Sequence, residues 1–318
     1  MLIIILLISF IISFVLFPAM IFRLKKAGIV GKNMHSAIQE EVTEMGGLVT
    51  VAGFGAGIFT VIAVKTFFNI FPSVDLISIL VALSTILIVV LIGIFDDLVS
   101  MPQQIKAFMP LFAALPLIVI KEGNTFIRIA FLGNINFGLL YTLVIIPLEV
   151  TIAANAVNML AGFNGLEVGM GIIAVGSLAI IAYLLGKMTV LVILLATLGA
   201  LLATLYYNWF PAKVLVGDVG TLSIGAIIAA AVIMGNFEIA GAILLIPYII
   251  DFLIKAKNHF PYSFGEYKDG KLYCPEGGPV GLGQLIMKVC GGISERNLVL
   301  VLMGIEAVCG VVAILLYV

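Results

Sequence analysis

Two long apolar runs, residues 2–22 and 76–95, set the firmest limit on what this chain can fold into. Each is close to the roughly 20 residues an α-helix needs to cross the hydrocarbon of a bilayer. In lipid every main-chain N–H and C=O must be satisfied inside the protein, so such runs fold as spanning helices. The rest of the chain agrees. It is 63% hydrophobic and 10% charged, with a mean hydropathy of +1.29, whereas soluble domains hold about 45–50% apolar and about 25% charged residues.

Apolar runs predict an all-α polytopic membrane protein with about ten spans, near residues 2–22, 46–64, 76–95, 107–121, 139–154, 169–185, 188–206, 219–235, 238–256 and 298–317. Residues 1–318 read as a single integral membrane catalytic domain. The first run lacks a preceding basic region and a small-residue cleavage site, so it reads as an uncleaved span. The net charge of −1 gives no electrostatic case for nucleic acid. Cys274, Cys290 and Cys309 have neither metal-ligand spacing nor a disulfide framework.

Alternating the loops across ten spans segregates the cations. Arg23, Lys25, Lys26, Lys32, Lys106, Lys213, Lys255, Lys257, Lys268, Lys271, Lys288 and Arg296 fall on one side, and Lys65, Lys121, Arg128 and Lys187 on the other. Positive loops stay inside, so the first side is expected to be cytoplasmic, with both termini outside. On the outer side, residues 127–137, turning at Gly133-Asn134, predict a small external β-hairpin. In the last cytoplasmic loop, Leu282, Leu285, Ile286 and Val289 share a helical stripe, which predicts an interfacial helix.

The costly polar residues gather on the cytoplasmic side. Gly93-Ile94-Phe95-Asp96-Asp97 closes the third span, Lys106 opens the fourth, and Asp218 opens the eighth after Asn208-Trp209-Phe210-Pro211. Taken singly, each has a bland reading: acids at a wet helix end, a snorkelling lysine, an N-cap aspartate. Adjacent acids on a helix also point about 100° apart, so one at most faces a given ligand. Harder to explain by packing is Asn155-Ala-Val-Asn158-Met-Leu-Ala-Gly162-Phe-Asn164-Gly165-Leu-Glu167. Asn155 and Asn158 share a helical face. Neutral oxygen donors with a nearby acid suit Mg²⁺.

Together with Glu44-Met45-Gly46-Gly47, these strings resemble the polyprenyl-phosphate N-acetylhexosamine-1-phosphate transferase family. The likeness is nearest to its archaeal and eukaryotic UDP-GlcNAc:dolichyl-phosphate branch, and it spans most of the chain in order. The resemblance implies transfer of a sugar-1-phosphate from a UDP-sugar to a membrane polyprenyl or dolichyl phosphate, with release of UMP and use of Mg²⁺ or Mn²⁺. It further implies that Asn158 and Asp218 hold the metal, that Lys106 contacts the pyrophosphate, and that Asp96 and Asp97 form the catalytic acidic pair. Asn164 and Leu215 match the uracil-binding elements. Glu44, Gly46, Asn155 and Glu167 lie in the matching strings and are taken as substrate-binding.

Two departures bear on the substrate. The bacterial branches usually carry Asp where this chain has Ala161 and Asn164, which disfavours a cell-wall precursor. The His- or Arg-rich motif expected in the last cytoplasmic loop is reduced to His259 with Lys255 and Lys257, so another UDP-N-acetylhexosamine stays open as donor. A transporter would set its polar groups near the midplane, in corresponding halves. An intramembrane aspartyl protease would carry Gly-x-Gly-Asp, where this chain has Leu215-Val216-Gly217-Asp218. A homodimer is left open, since no surface patch argues for it.

Overall fold

The computed structural model describes residues 1–32, 41–129 and 133–318. The chain opens with the long helices α1 (Leu2–Lys26), α2 (Gly47–Phe68) and α3 (Leu76–Val99), and the short antiparallel pair β1 (Val30–Lys32) and β2 (Glu41–Thr43) lies between α1 and α2. Three short helices follow, α4 (Gln103–Phe108), α5 (Pro110–Ala113) and α6 (Leu115–Val119), then strands β3 (Phe126–Ile129) and β4 (Gly133–Asn136). A π-helical turn, Tyr141–Ile145, leads into α7 (Ile146–Leu160), which is succeeded by α8 (Leu166–Leu184), α9 (Met188–Asn208) and α10 (Gly217–Gly235). The chain closes with α11 (Glu238–Leu244), α12 (Ile246–Lys257), β5 (Glu266–Lys268), β6 (Lys271–Tyr273), α13 (Leu282–Cys290) and α14 (Glu295–Leu315).

Among the described residues, eight helices are long and apolar enough to cross a membrane, and nine if the bent pair α11–α12 is one span. The protein is thus an integral membrane protein, but the expected ten long spans are not all there. The fourth expected span, residues 107–121, is instead the broken series α4–α6. Pro110 and Pro116 begin its pieces, and a proline removes an i→i−4 hydrogen bond and clashes with the preceding turn. Pro247 acts likewise at the 55° bend between α11 and α12.

Strands β3 and β4 pair antiparallel, Ile127 opposite Ile135, but Gly133 and Asn134, expected as the turn, are paired residues of β4 opposite Ile129 and Arg128, and residues 130–132 lie outside the described residues. Helix α13 forms where the apolar stripe suggested, yet its buried residues are Leu282, Gly283, Gln284 and Met287, and Val289 points outward. The β5–β6 hairpin was not anticipated. Its turn, Asp269-Gly270, has both residues at positive φ, the pattern that favours a tight two-residue connection.

Helix α10 is the hub. Every residue from Val219 to Gly235 is buried, although the sequence is only moderately apolar. Small residues explain this, because Gly220, Ser223, Gly225 and Ala229–Ala231 let neighbouring backbones come close. A Cβ on Gly47 would strike the backbone of Gly220, and one on Gly93 would lie 2.5 Å from the Cα of Val219. A Cβ on Gly225 would lie 2.5 Å from the Cα of Ala154. Helices α2, α3 and α7 therefore press on α10 directly, and the first two do so at the turn that carries Asp218.

Candidate active site

At the N-terminal end of α10, side chains from four helices meet. The Lys106 ammonium of α4 stands 2.7 Å from Asp96 Oδ2 of α3 and also pairs with Asp218 Oδ2 of α10. The other Asp218 oxygen accepts from the Asn158 amide of α7, which also donates to Thr221 Oγ1 at 2.8 Å. Residues up to 122 positions apart in sequence, 96 and 218, thus share one charge cluster. Asp96 and Lys106 are almost fully buried, whereas the Asp218 side chain is 24% exposed. Of the three charged groups, Asp218 is therefore the one that a soluble molecule can reach most readily.

The two adjacent acids diverge, as helical geometry requires. Asp96 takes Lys106 on one oxygen and the N–H of Met101 at 2.8 Å on the other, tightening the turn after α3. Asp97 faces α10 and accepts the main-chain N–H groups of Asp218 and Val219 at 2.7 and 3.1 Å. A helix start exposes unsatisfied N–H groups and a partial positive charge, so a carboxylate there caps it. The bland reading of Asp218 made it the N-cap of its own helix. That work is done from α3 by Asp97.

The remaining expected site residues divide into three groups. Glu44 lies within electrostatic reach of Asp218 and Asp97, and burial first, then the Asp218 charge, pushes its carboxyl above the ordinary value. Gly46 and Leu215 meet through their backbones: Gly46 N–H donates to Leu215 O at 2.9 Å, and Leu215 N–H to Thr43 O at 2.7 Å. Asn155 is one step removed, its amide donating to Ala107 O at 3.0 Å and to Thr151 O, so it ties the Lys106 helix to α7. Asn164 and Glu167 flank a buried loop beyond α7, at the start of α8. His259 turns off the end of α12 at φ 61°, and among the described residues no side-chain hydrogen bond or ion pair joins it to the cluster.

Sequence reasoning overlooked Thr221, Asp251 and Glu295, and placed Lys255 only beside His259 in the last cytoplasmic loop. Thr221 anchors the Asn158 amide. Lys255 pairs with Asp251 Oδ2 at 2.8 Å and donates to Met159 O, while Asp251 Oδ1 accepts Leu282 N–H at 2.7 Å. That knot fastens α12 and α13 to the residue beside Asn158. Its i,i+4 Asp–Lys spacing in an otherwise apolar helix was a legible signal. Glu295, the third, accepts the Asn164 main-chain N–H and looked like an ordinary first-turn acid.

No group of three or more His, Cys, Asp or Glu able to hold a metal occurs among the described residues. The donor chemistry at Asp218 and Asn158, a carboxylate beside an amide, nonetheless fits Mg²⁺, which binds through one or two protein oxygens and completes its shell with water and phosphate.

The comparisons with known proteins agree in scope. The glycosyl transferase family 4 model matches residues 79–236, the stretch that contains Asp96, Lys106, Asn158 and Asp218. A protein of Saccharolobus solfataricus, provisionally named a UDP-N-acetylglucosamine–dolichyl-phosphate N-acetylglucosaminephosphotransferase, is 40% identical over 98% of this chain and 95% of its own length. The chain belongs to glycosyl transferase family 4. A Sulfolobus acidocaldarius relative with the same provisional name is 37% identical over 91% of this chain and 88% of its own. In Dictyostelium discoideum, a family member that bears this enzyme name outright is 27% identical over 73% of this chain and 66% of its own. Membership makes the α3–α4–α7–α10 cluster the natural candidate for the transferase centre.

Proposed function

We propose that this protein transfers N-acetylglucosamine-1-phosphate from UDP-GlcNAc to a dolichyl or related polyprenyl phosphate, releasing UMP and opening the assembly of a lipid-linked glycan. The observation that carries this reading is the near full-length similarity to relatives named for that reaction, joined to a lysine, an amide and a carboxylate that converge at one end of the bundle. The excess of Lys and Arg in the loops at that end favours a cytoplasmic site with both termini outside. On this orientation β3–β4 is external and α13 lies along the inner interface.

In the reaction an acceptor phosphate oxygen attacks the β-phosphorus of the UDP-sugar. A new P–O bond forms, the bond from that phosphorus to the bridging oxygen breaks, and the electron pair leaves on UMP. The obstacle is repulsion between two phosphates, and catalysis of this type rests on positioning and charge neutralisation. Asp218 and the Asn158 amide would hold Mg²⁺, which would offset diphosphate charge and stabilise the departing phosphate. Lys106 sits on Asp218 and supplies a compact positive charge at the same place.

No aspartate needs to serve as a general base. A phosphate monoester has a second pKa near 6, so much of the acceptor is dianionic at neutral pH. The hydrogen bonding of the pair supports this: Asp97 spends both oxygens on α10, and Asp96 divides its own between Lys106 and Met101. Their part is to set Asp218 and Lys106.

The deciding experiment incubates purified protein with Mg²⁺, dolichyl phosphate and a panel of UDP-sugars, and follows labelled lipid. Incorporation of GlcNAc supports the reading. Preference for another N-acetylhexosamine would keep the reaction and change the donor, and uptake into vesicles without lipid-linked product would point to a transporter instead.

A further inference from the structure

We propose that Glu295 is a positioning residue for the nucleotide end of the site, holding the loop at 161–165 so that the Asn164 amide faces its ligand. This rests on the reading above, in which Asn164 meets the uridine base.

The Asn164 N–H donates to Glu295 Oε1 at 2.7 Å, across 131 positions of sequence, and each residue is only 4% exposed. Such a contact is costly to build. A buried carboxylate loses its hydration, and a single N–H repays only part of that loss, since Glu295 Oε2 has no hydrogen-bond partner among the described residues. An apolar side chain would serve bare stability as well. The start of α14 lowers the cost, because a helix N-terminus favours negative charge. Ser294 already caps that helix by accepting from Asn297, which leaves Glu295 able to reach across to the loop.

The loop is held from other sides too. Gly165 has φ +85°, and a Cβ there would lie 2.7 Å from Trp209 Cε3, so the ring and a left-handed turn together fix the entry to α8. The Glu167 carboxylate lies within electrostatic reach of the Gly162 main-chain N–H. Two acids from two helices thus shape five residues of backbone. What they present is the Asn164 Nδ2 group, buried and without an acceptor among the described residues. Native folds rarely leave such a donor unpaired, so its direction matters to whatever it binds. Loss of the Glu295 tie lets the loop relax, and a misplacement of about 1 Å is enough to cost up to a hundredfold at a site of this kind.

The test compares Glu295→Ala with Glu295→Gln, which keeps an acceptor oxygen, in lipid nanodiscs. Glu295→Ala should weaken UMP binding and raise KM for the UDP-sugar by about tenfold, the worth of a hydrogen bond to a charged group, and leave KM for the lipid phosphate within about twofold. Glu295→Gln should restore most of the loss. Hydrogen exchange at the Asn164 amide should be slow in wild type and Glu295→Gln and fast in Glu295→Ala. Unchanged UMP affinity in Glu295→Ala would overturn the proposal, as would equal loss toward both substrates with no rescue by Gln. Wild-type protein that binds no uridine nucleotide, yet protects the Asn164 amide, would instead overturn the function on which the proposal rests.

Discussion

Asp97 grips Asp218 by its backbone: the carboxylate on α3 accepts the N–H of Asp218 at 2.7 Å and that of Val219 at 3.1 Å. One acid therefore aims another by holding the first turn of its helix. Asp218→Ala should abolish transfer, since it removes the exposed carboxylate of the cluster. Asp97→Asn keeps one acceptor oxygen and presents an N–H₂ to the second donor, so activity should fall by roughly ten- to a hundredfold, the worth of one or two charge-assisted hydrogen bonds. Initial rates with labelled lipid measure both. Equal abolition by the two variants would count against this division of labour.

Lys106 is a buried cation between two carboxylates. Removing one partner of such a group strands the others, at a cost of about 3–5 kcal/mol. Lys106→Met should lower the unfolding temperature markedly as well as stop turnover. Adding Asp96→Asn removes one stranded charge, so the double variant should be more stable than the lysine variant alone. Thermal unfolding of the four proteins gives this cycle directly, and strict additivity would contradict the shared cluster.

Much of this was legible in the chain. Span positions follow from apolar runs alone, because lipid leaves the backbone few alternatives. The convergence of Asp96, Lys106, Asn158 and Asp218 followed from motif order and loop parity. What the sequence concealed was the use of each group. Asn155 and Asn158 share a face, yet one tethers α4 and the other reaches Asp218, a distinction that turns on a neighbouring helix packing at one height rather than another. Glu295 could not be seen as a loop tie, since nothing local links residues 164 and 295. The fourth span was read as one run although Pro110 and Pro116 stood in it. The apolar run continues across both prolines, but the N–H group each one lacks breaks the helix there.

The tether from Asn155 to Ala107 O gives a separate expectation. Asn155→Leu keeps bulk but drops the donor, leaving the start of the fourth segment less firmly set beside α7. Lys106 should then be misplaced more than lost, so kcat should fall by about tenfold with little change in KM, the pattern of an interaction realised in the transition state. A change confined to KM for the UDP-sugar would make Asn155 a substrate contact instead.

Glu44 supplies a pH signature. Burial, then the Asp218 charge, raises its pKa above the ordinary 4.5. Below pH 4.5 the carboxyl is protonated in folded and unfolded chains alike, so the fold bears no penalty. As pH climbs through the raised value the group ionises in its buried place, and that contribution to stability is lost. Glu44→Gln never ionises. Its unfolding temperature relative to wild type should therefore rise with pH from about 4.5 upward, as differential scanning measures. A difference that shrinks with pH would mean that Glu44 is stabilised as the anion.

Gly93 tests whether close helix contact sets the chemistry. It sits one turn before Asp97, and an added Cβ would lie 2.5 Å from Val219 Cα and 2.7 Å from Val219 N. Those are backbone atoms of the turn that Asp97 caps, so no side chain can rotate away. Gly93→Ala must push α3 from α10, which costs about 1–3 kcal/mol by overpacking and lengthens the Asp97 hydrogen bonds to Asp218 and Val219. Gly55 offers the control: a Cβ there meets nothing within 4 Å, and Gly55→Ala should gain slightly from helix propensity. If helix approach positions Asp218, Gly93→Ala loses both unfolding temperature and transfer rate, in the same direction as Asp97→Asn, while Gly55→Ala loses neither. A Gly93→Ala protein with full activity and a lowered unfolding temperature would separate the packing from the chemistry and sink the link between them.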